Sequence, residues 1–340
     1  MRTQLSMKPT GWFQVAWSAD IGIGDVVPLR YFGEDLVAYR GLDGALRIHD
    51  AYCQHLGANL AYGGCVVEGG IQCPFHGWVW GPDGNNTHIP YQERTNKARH
   101  VRAWTVVERN ECVYLWHDAA GGKPTWDVPD ALADMGEHVS ERDFHPAFPV
   151  GREHFTDLQV HPQVVAENAV DPHHFRFVHR TPISPVVLAE RADGATWYAR
   201  VGFGRRWAAD PGRDPEGRDT LNTLVILWSG LGVSFNAEQL KEGIRVIAIC
   251  TTPVDDDQSE IFATYWADRV EADAVPGNYE QRIAQAKAAL PDDIKIWNHQ
   301  KFLEPPGLAT SEAAGFRKLR RWAQQFYPAA ALAGHLEGEP

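Results

Sequence analysis

The chain has 340 residues, 44% of them hydrophobic, and a formal net charge of −12. That length suits two domains rather than one. An acidic chain of this kind is excluded as an electrostatic binder of nucleic acid or anionic lipid. No run of about 20 apolar residues occurs, so no membrane span is expected, and residues 1–11 carry Arg2 and Lys8 but no apolar signal core. Five cysteines, scattered apart from two short motifs, do not make a disulfide framework. The expected location is cytoplasmic.

In chain order, short strands come first. Residues 12–17, 26–32, 35–40 and 45–49 read as strands, with Gly41-Leu-Asp-Gly44 as a hairpin turn. Two mixed pairs follow, Cys53-Gln-His55 and Cys73-Pro-Phe-His76, separated by seventeen residues and followed by Gly57 and Gly77. Each pair brings one thiolate and one imidazole. Two sulfurs on one iron and two imidazoles on the other make a Rieske [2Fe–2S] cluster, whose histidines raise its potential above that of an all-thiolate cluster. A Cys₂His₂ zinc site uses the same ligand types, but finger spacing puts both cysteines in one pair and both histidines in the other. Gly63, Gly64, Gly69, Gly70 and Gly81 surround the pairs and let backbone amides approach sulfur. Cys65, Cys112 and Cys250 read as buried thiols. Residues 104–107 and 112–116 read as strands joined at Arg109-Asn110.

Residues 119–130 read as a linker, which places a small antiparallel β domain at 1–118 and a second domain at 119–340. Residues 164–179 have helical spacing and concentrate Asp171, His173, His174 and His179. Asp171 and His174 share a helix face. His174 and His179 stand five apart, about 140° around an ideal helix, so both reach one metal only if the helix ends between them. Two histidines and one carboxylate on one face of Fe(II) leave positions open for O₂ and substrate. His173 is the rival of His174. The third ligand comes from elsewhere: Asp292 or Asp293 on a long amphipathic helix over 279–302, split at Pro291, with Glu304 a weaker candidate. Residues 221–233, 245–251 and 260–266 are strand-like, and parts of 221–235 and 244–251 are expected to line the substrate pocket. Residues 316–327 form a second, basic helix, and the Ala- and Gly-rich tail after Pro328 is expected to be mobile.

Together these motifs resemble the oxygenase component of Rieske non-haem iron oxygenases, over about 11–327. Within them the chain is most similar to 3-ketosteroid 9α-hydroxylase oxygenases, through Asp50-Ala-Tyr-Cys-Gln-His55, Cys73-Pro-Phe-His76, Ile89-Pro-Tyr91, Arg102-Ala-Trp104, Trp116-His-Asp118, Leu319-Arg-Arg-Trp322 and Gln325-Phe-Tyr327. The Pro172-His173 pair and the arginine and threonine after His179 depart from that group. The resemblance implies an α+β fold: an antiparallel β Rieske domain, then a helix-grip (START/Bet v 1-like) catalytic domain with an antiparallel sheet and C-terminal helices. It implies Cys53, His55, Cys73 and His76 as cluster ligands. It favours His174 over His173, and through the following Ile-x-Ile-Trp run it favours Asp293. It also implies a head-to-tail homotrimer in which Asp171 links a cluster histidine of one subunit to an iron-ligand histidine of the next.

The implied function is a monooxygenase inserting one atom of O₂ into a hydrophobic, polycyclic, steroid-like substrate. No G-x-G-x-x-G unit is present, so NADH electrons arrive through a separate ferredoxin reductase or ferredoxin. The alternatives are an O- or N-demethylase of a smaller aromatic or amine, and a non-catalytic Rieske carrier. A carrier needs no residues from 119 on.

Overall fold

The computed structural model describes residues 5–207 and 221–328; the tail after Pro328 and the first four residues lie outside them. The N-terminal strands are β1 (Gly11–Trp17), β2 (Val26–Tyr31), β3 (Glu34–Arg40), β4 (Leu46–Asp50), β5 (Cys65–Val67), β6 (Gly70–Gln72), β7 (Val79–Trp80), β8 (Asn86–His88), β9 (Val106–Arg109) and β10 (Cys112–His117). They form three small antiparallel sheets, ordered β1-β10-β9, β2-β3-β4 and β5-β6-β7-β8. Asn110 and Glu111 both have positive φ, 55° and 59°. Two left-handed residues in a row are what a two-residue hairpin requires, so β9 turns directly into β10. The four short strands β5 to β8 were not apparent in the sequence. Cys112 and Cys250 are buried as expected, but Cys65 is exposed on β5. It opens a three-residue edge strand, where one side chain in two faces water.

The segment expected to be a linker is pinned down. Trp126 accepts a hydrogen bond from the Trp12 indole at its carbonyl (2.8 Å), and its ring meets Trp116 edge-on at 4.7 Å. Beyond it come the one-turn α1 (Glu137–Ser140), β11 (Arg152–Leu158), α2 (Pro162–Glu167), α3 (His174–Phe177), β12 (Val186–Asp193), β13 (Thr196–Gly202), β14 (Leu221–Ser229), β15 (Val233–Leu240), β16 (Ile244–Pro253) and β17 (Ser259–Ala267). These strands make one antiparallel sheet in the order β11-β17-β16-β15-β14-β13-β12. The predicted strand over 221–233 is in fact β14, a tight turn, and the start of β15.

Strand alternation divides the sheet between two cores. Val225, Leu227, Phe235, Ala237, Val246, Ala248 and Phe262 face the N-terminal half and pack with Trp12, Phe13, Val113 and Leu115. Leu224, Ile226, Trp228, Ile247 and Tyr265 face the other way, toward the C-terminal helices. Each fully buried large side chain contributes roughly 1.5–3 kcal/mol. The predicted helix over 279–302 is two: α4 (Asn278–Lys287) and α5 (Leu290–Trp297), with Pro291 inside the first turn of α5, where its missing N–H costs no bond. The last helix, α6 (Ala313–Ala323), buries Leu319, Trp322 and Ala323. Its Arg320 clamps Glu167 at the end of α2 with bonds of 2.7 and 3.0 Å. The fold is thus α+β, a large antiparallel sheet gripping helices beside a small β domain. Among the described residues no helix is long and apolar enough to cross a membrane.

Candidate active site

One Cys/His loop follows β4 and the other joins β6 to β7. Each closes on itself: Gly57 N–H donates to the Cys53 carbonyl at 2.9 Å, and Gly77 N–H to the Cys73 carbonyl at 3.1 Å. Both glycines have positive φ, 78° and 72°, and a Cβ on Gly77 would lie 2.8 Å from Pro90 Cγ. Cys53 and Cys73 are buried, while the rings of His55 and His76 lie 4.7 Å apart. His55 stacks on Trp78 at 4.4 Å, and the Trp78 indole donates to the Tyr91 hydroxyl at 2.7 Å. Trp80 aims its indole N–H at Cys53 Sγ from 3.2 Å. Burial lifts the Cys53 thiol above its ordinary pKa, and the neighbouring Cys73 adds to this against the pull of backbone and Trp80 donors. The Nδ1 of His76 is buried and, among the described residues, has no partner. A buried imidazole nitrogen without a partner, two close buried thiols and a second imidazole form a donor set that fits a Rieske cluster.

The second constellation forms where the helical pattern breaks. After α2 the chain takes one 3-10 turn (Asn168–Val170), then α3, which ends at Phe177. The break turns His179 back toward His174, their rings 5.4 Å apart and 76° from parallel. His174, His179 and Asp293 bring ligand atoms within 4.8 Å of one another. His179 Nε2 lies 3.2 Å from Asp293 Oδ2. His174 Nδ1 donates to the Asp171 carbonyl at 2.5 Å, which leaves Nε2 as the free, acceptor nitrogen. Asp171 Oδ1 accepts the backbone N–H groups of His173 and His174 at 3.0 and 3.2 Å. The alternatives point elsewhere. His173 Nδ1 meets Ser184 Oγ at 3.3 Å, Asp292 is exposed, and Glu304 pairs with Arg320 at 3.2 Å. Burial depresses the His174 pKa against the attraction of Asp293 and Asp171. At His179 burial acts in the same sense, but the hydrogen bond and charge of Asp293 win and the pKa rises. A neutral imidazole, a second imidazole and a carboxylate on one face form a donor set that fits iron(II) with positions left open.

These residues sit in the wall of a cavity of about 800 Å³. That is at the upper end for sites that enclose a small organic molecule. The sheet supplies Leu224, Ile226 and Trp228 from β14, Ser234, Asn236 and Glu238 from β15, and Arg245, Ile247 and Ile249 from β16. Alternate residues of the two expected pocket segments therefore line it, and the others belong to the opposite core. The helices close it with Ala286, Leu290 and Trp297, and Phe175 and Phe203 meet edge-on at 5.0 Å beside it. Sequence reasoning missed Phe175, Phe203 and Glu238, while Arg245 falls within the expected segment 244–251. Glu238 carried a signal, since a charged residue at an inward position of an otherwise apolar strand must be paired or used.

A buried Cys/His cluster site and an open two-histidine, one-carboxylate site in one chain define the class: an oxygenase of the Rieske non-haem iron type, an oxidoreductase. Residues 11–105 match the family described as Rieske [2Fe-2S] domain, and residues 115–327 match the family described as 3-Ketosteroid 9alpha-hydroxylase C-terminal domain. The second match spans more than half of the chain, which therefore belongs to the 3-ketosteroid 9α-hydroxylase family. Its Rieske domain carries a [2Fe–2S] cluster, and its catalytic domain uses non-haem iron and O₂. Cholesterol 7-desaturase of Xenopus laevis is 31% identical, covering 94% of this chain and 72% of that protein. The oxygenase component of 3-ketosteroid-9-alpha-monooxygenase from Rhodococcus rhodochrous is 28% identical over 93% of this chain and 83% of its own length. Solved structures share the fold at lower identity. Dicamba monooxygenase bound to dicamba superposes with a TM-score of 0.67 at 18% identity, covering 96% of this chain and 97% of that one. Pseudomonas putida CBB5 NdmA with caffeine gives 0.68 at 16%, covering 92% and 89%.

Proposed function

We propose that the chain inserts one oxygen atom of O₂ into a hydrophobic, polycyclic, steroid-like substrate. The observation that carries this is the 800 Å³ cavity, walled mainly by apolar side chains, onto which His174, His179 and Asp293 open together. Naming of both steroid-acting relatives supports the substrate class. Cys53, His55, Cys73 and His76 hold the cluster; His174, His179 and Asp293 hold the iron. When bound, that iron supplies open coordination positions where O₂ is reduced next to the substrate. The overall balance is substrate C–H plus O₂, two electrons and two protons, giving C–OH and water.

The protein's own contribution is position and exclusion of water. The Asp171 carbonyl holds the His174 ring so that Nε2 faces the metal position, and the Asp171 carboxylate caps α3. Phe175 and the strand side chains exclude bulk water. NADH electrons reach the cluster through a separate ferredoxin reductase or ferredoxin. The working unit is a head-to-tail homotrimer, a ring of heterologous contacts, with Asp171 joining one subunit's iron histidine to the next subunit's cluster histidine. The division into domains at 1–118 and 119–340 is supported by the end of β10 at His117, the last strand of the small sheets.

The test is turnover of a steroid panel under ¹⁸O₂ with a matched reductase, together with an iron count. The reading requires one labelled oxygen in the product and three irons per chain. Formaldehyde release from methoxy or methylamine compounds, with no steroid turnover, would make the chain a demethylase instead. Two irons and no turnover would make it an electron carrier.

A further inference from the structure

The chain is acidic overall, but one segment of the small β domain is not. Residues 92–102 carry Arg94, Lys97, Arg99 and Arg102 against a single carboxylate, Glu93, and all five of these residues are exposed. Among the described residues none of the four cations forms an ion pair; Arg102 instead lies over the Trp104 ring at 3.6 Å. Asp83, brought near by the Asn85–His100 bridge, is turned back on Asn85, whose backbone N–H and side-chain amide it accepts at 3.0 and 2.7 Å. The segment begins one residue after Tyr91, which is 59% exposed. The Tyr91 hydroxyl accepts the Trp78 indole N–H at 2.7 Å, and the Trp78 ring lies 6° from parallel with His55 at 4.4 Å. One hydrogen bond and one ring stack therefore join the protein surface to a cluster histidine.

Like charges gathered without partners repel one another and add nothing to the fold. What such a patch does is steer a partner of opposite charge, raising encounter rates by about 10–10³. Contacts for transient electron transfer are small, and depend on this steering more than on buried area. We infer that residues 92–102, with Tyr91, are the docking surface for an acidic iron–sulfur carrier protein, and that Tyr91 and Trp78 form the electron entry to His55. One electron leaves the carrier's reduced centre and arrives at the Rieske cluster; no covalent bond forms or breaks. Trp78 and Tyr91 are positioning residues, which keep the gap between the two centres bridged by contacts. This rests on the reading that electrons come from a separate protein, and adds where that protein docks and what charge it bears.

The probe is a plant-type [2Fe–2S] ferredoxin, an acidic carrier whose potential lies below that of a Rieske cluster. It is reduced chemically and mixed anaerobically with the oxidised holoenzyme, and absorbance follows reduction of the cluster. The second-order rate should fall about tenfold or more between about 10 mM and 1 M salt, over which the screening length drops from about 30 to about 3 Å. The triple variant Arg94→Gln/Lys97→Gln/Arg99→Gln should lose about tenfold or more of the low-salt rate and most of the salt dependence. With the methyl viologen radical, a small reductant that needs no docking site, its rate should stay within about twofold of the parent. Oxidised ferredoxin fixed to a sensor surface should hold the parent and release the variant, which reads binding without electron flow. Tyr91→Leu should still bind ferredoxin but transfer several-fold more slowly at saturation. A parent rate indifferent to salt, or a triple variant with the parent's rate and binding, overturns the docking surface, and an unchanged saturated rate in Tyr91→Leu overturns the entry route. A triple variant whose assembly by light scattering differs from the parent's assigns these cations to contacts between copies, and overturns the docking surface too. Reduction of the parent by NADH alone would end the reading of a separate electron donor, while the ferredoxin measurements still decide the surface.

Discussion

Trp80 offers a direct handle on the cluster. Its ring is fully buried and its indole N–H lies 3.2 Å from Cys53 Sγ, so Trp80→Phe removes one donor to sulfur and little else. Hydrogen bonds to the sulfurs help set the potential of such clusters. A bond to a charged acceptor is worth about 1.5–3 kcal/mol. For one electron, 59 mV corresponds to a tenfold change, or about 1.4 kcal/mol. If the bond gains its full strength only when the electron arrives, its loss lowers the potential by about 65–130 mV, which is a ceiling. A titration followed by the electron paramagnetic resonance of the reduced cluster measures the shift. Iron content and thermal unfolding verify that the variant is loaded and folded. A loaded variant within about 20 mV of the parent would refute the idea that this indole donates to a cluster sulfur.

Three further outcomes follow from the site and its supports. Alanine at His174, His179 or Asp293 should remove one iron per chain and leave the cluster signal, whereas His173→Ala should keep all three; full iron in Asp293→Ala would move the ligand to Asp292 or Glu304. Asp171→Asn keeps the oxygen that caps α3 but loses the charge, so both metal centres should stay while turnover falls at least about tenfold; cluster oxidation at the parent rate on meeting O₂ and substrate would leave Asp171 a purely structural role. His161 is buried and held to a pKa of about 4, chiefly by desolvation. Its Nδ1 accepts the Gln163 N–H at 3.1 Å and its other nitrogen faces the Ser6 carbonyl at 2.9 Å. The unfolded chain therefore binds this proton first: stability is whole above about pH 6.5 and is lost as pH falls toward 4, by roughly 3 kcal/mol. Urea midpoints at pH 7 and 5 should differ for the parent and differ less for His161→Asn.

What the sequence disclosed was what chemistry keeps local. Cys53, His55, Cys73 and His76 are legible because a cluster demands four ligands of two types within two tight loops. His174 and His179 are legible for the same reason, and their five-residue separation required the helix break that the structure has after Phe177. Asp293 was not separable from Asp292 by residue chemistry, because adjacent positions on α5 differ only in which way they point, about 100° apart. Strands β5 to β8 were missed because two or three residues carry no readable alternation. The gap between α4 and α5 falls at Ala288 and Ala289, the residue type that least signals an end. The walls of the cavity come from strands and helices far apart in the chain, so no local pattern could announce Phe203.

The strands that line the cavity have one more property. Their reverse side is sealed against Trp12, Phe13 and the β1–β10 sheet, and Trp17 reaches across to Thr264 with a bond of 2.9 Å. This seam is a continuous apolar core, not a hinge. Swinging the cluster-bearing half toward the iron would tear that core open, at several kcal/mol for each large side chain pulled out. In the proposed head-to-tail ring, charge crosses a gap between subunits, and its speed follows from how copies of the chain are set against one another. Reagents that disturb assembly should throttle catalysis even where every ligand remains in place.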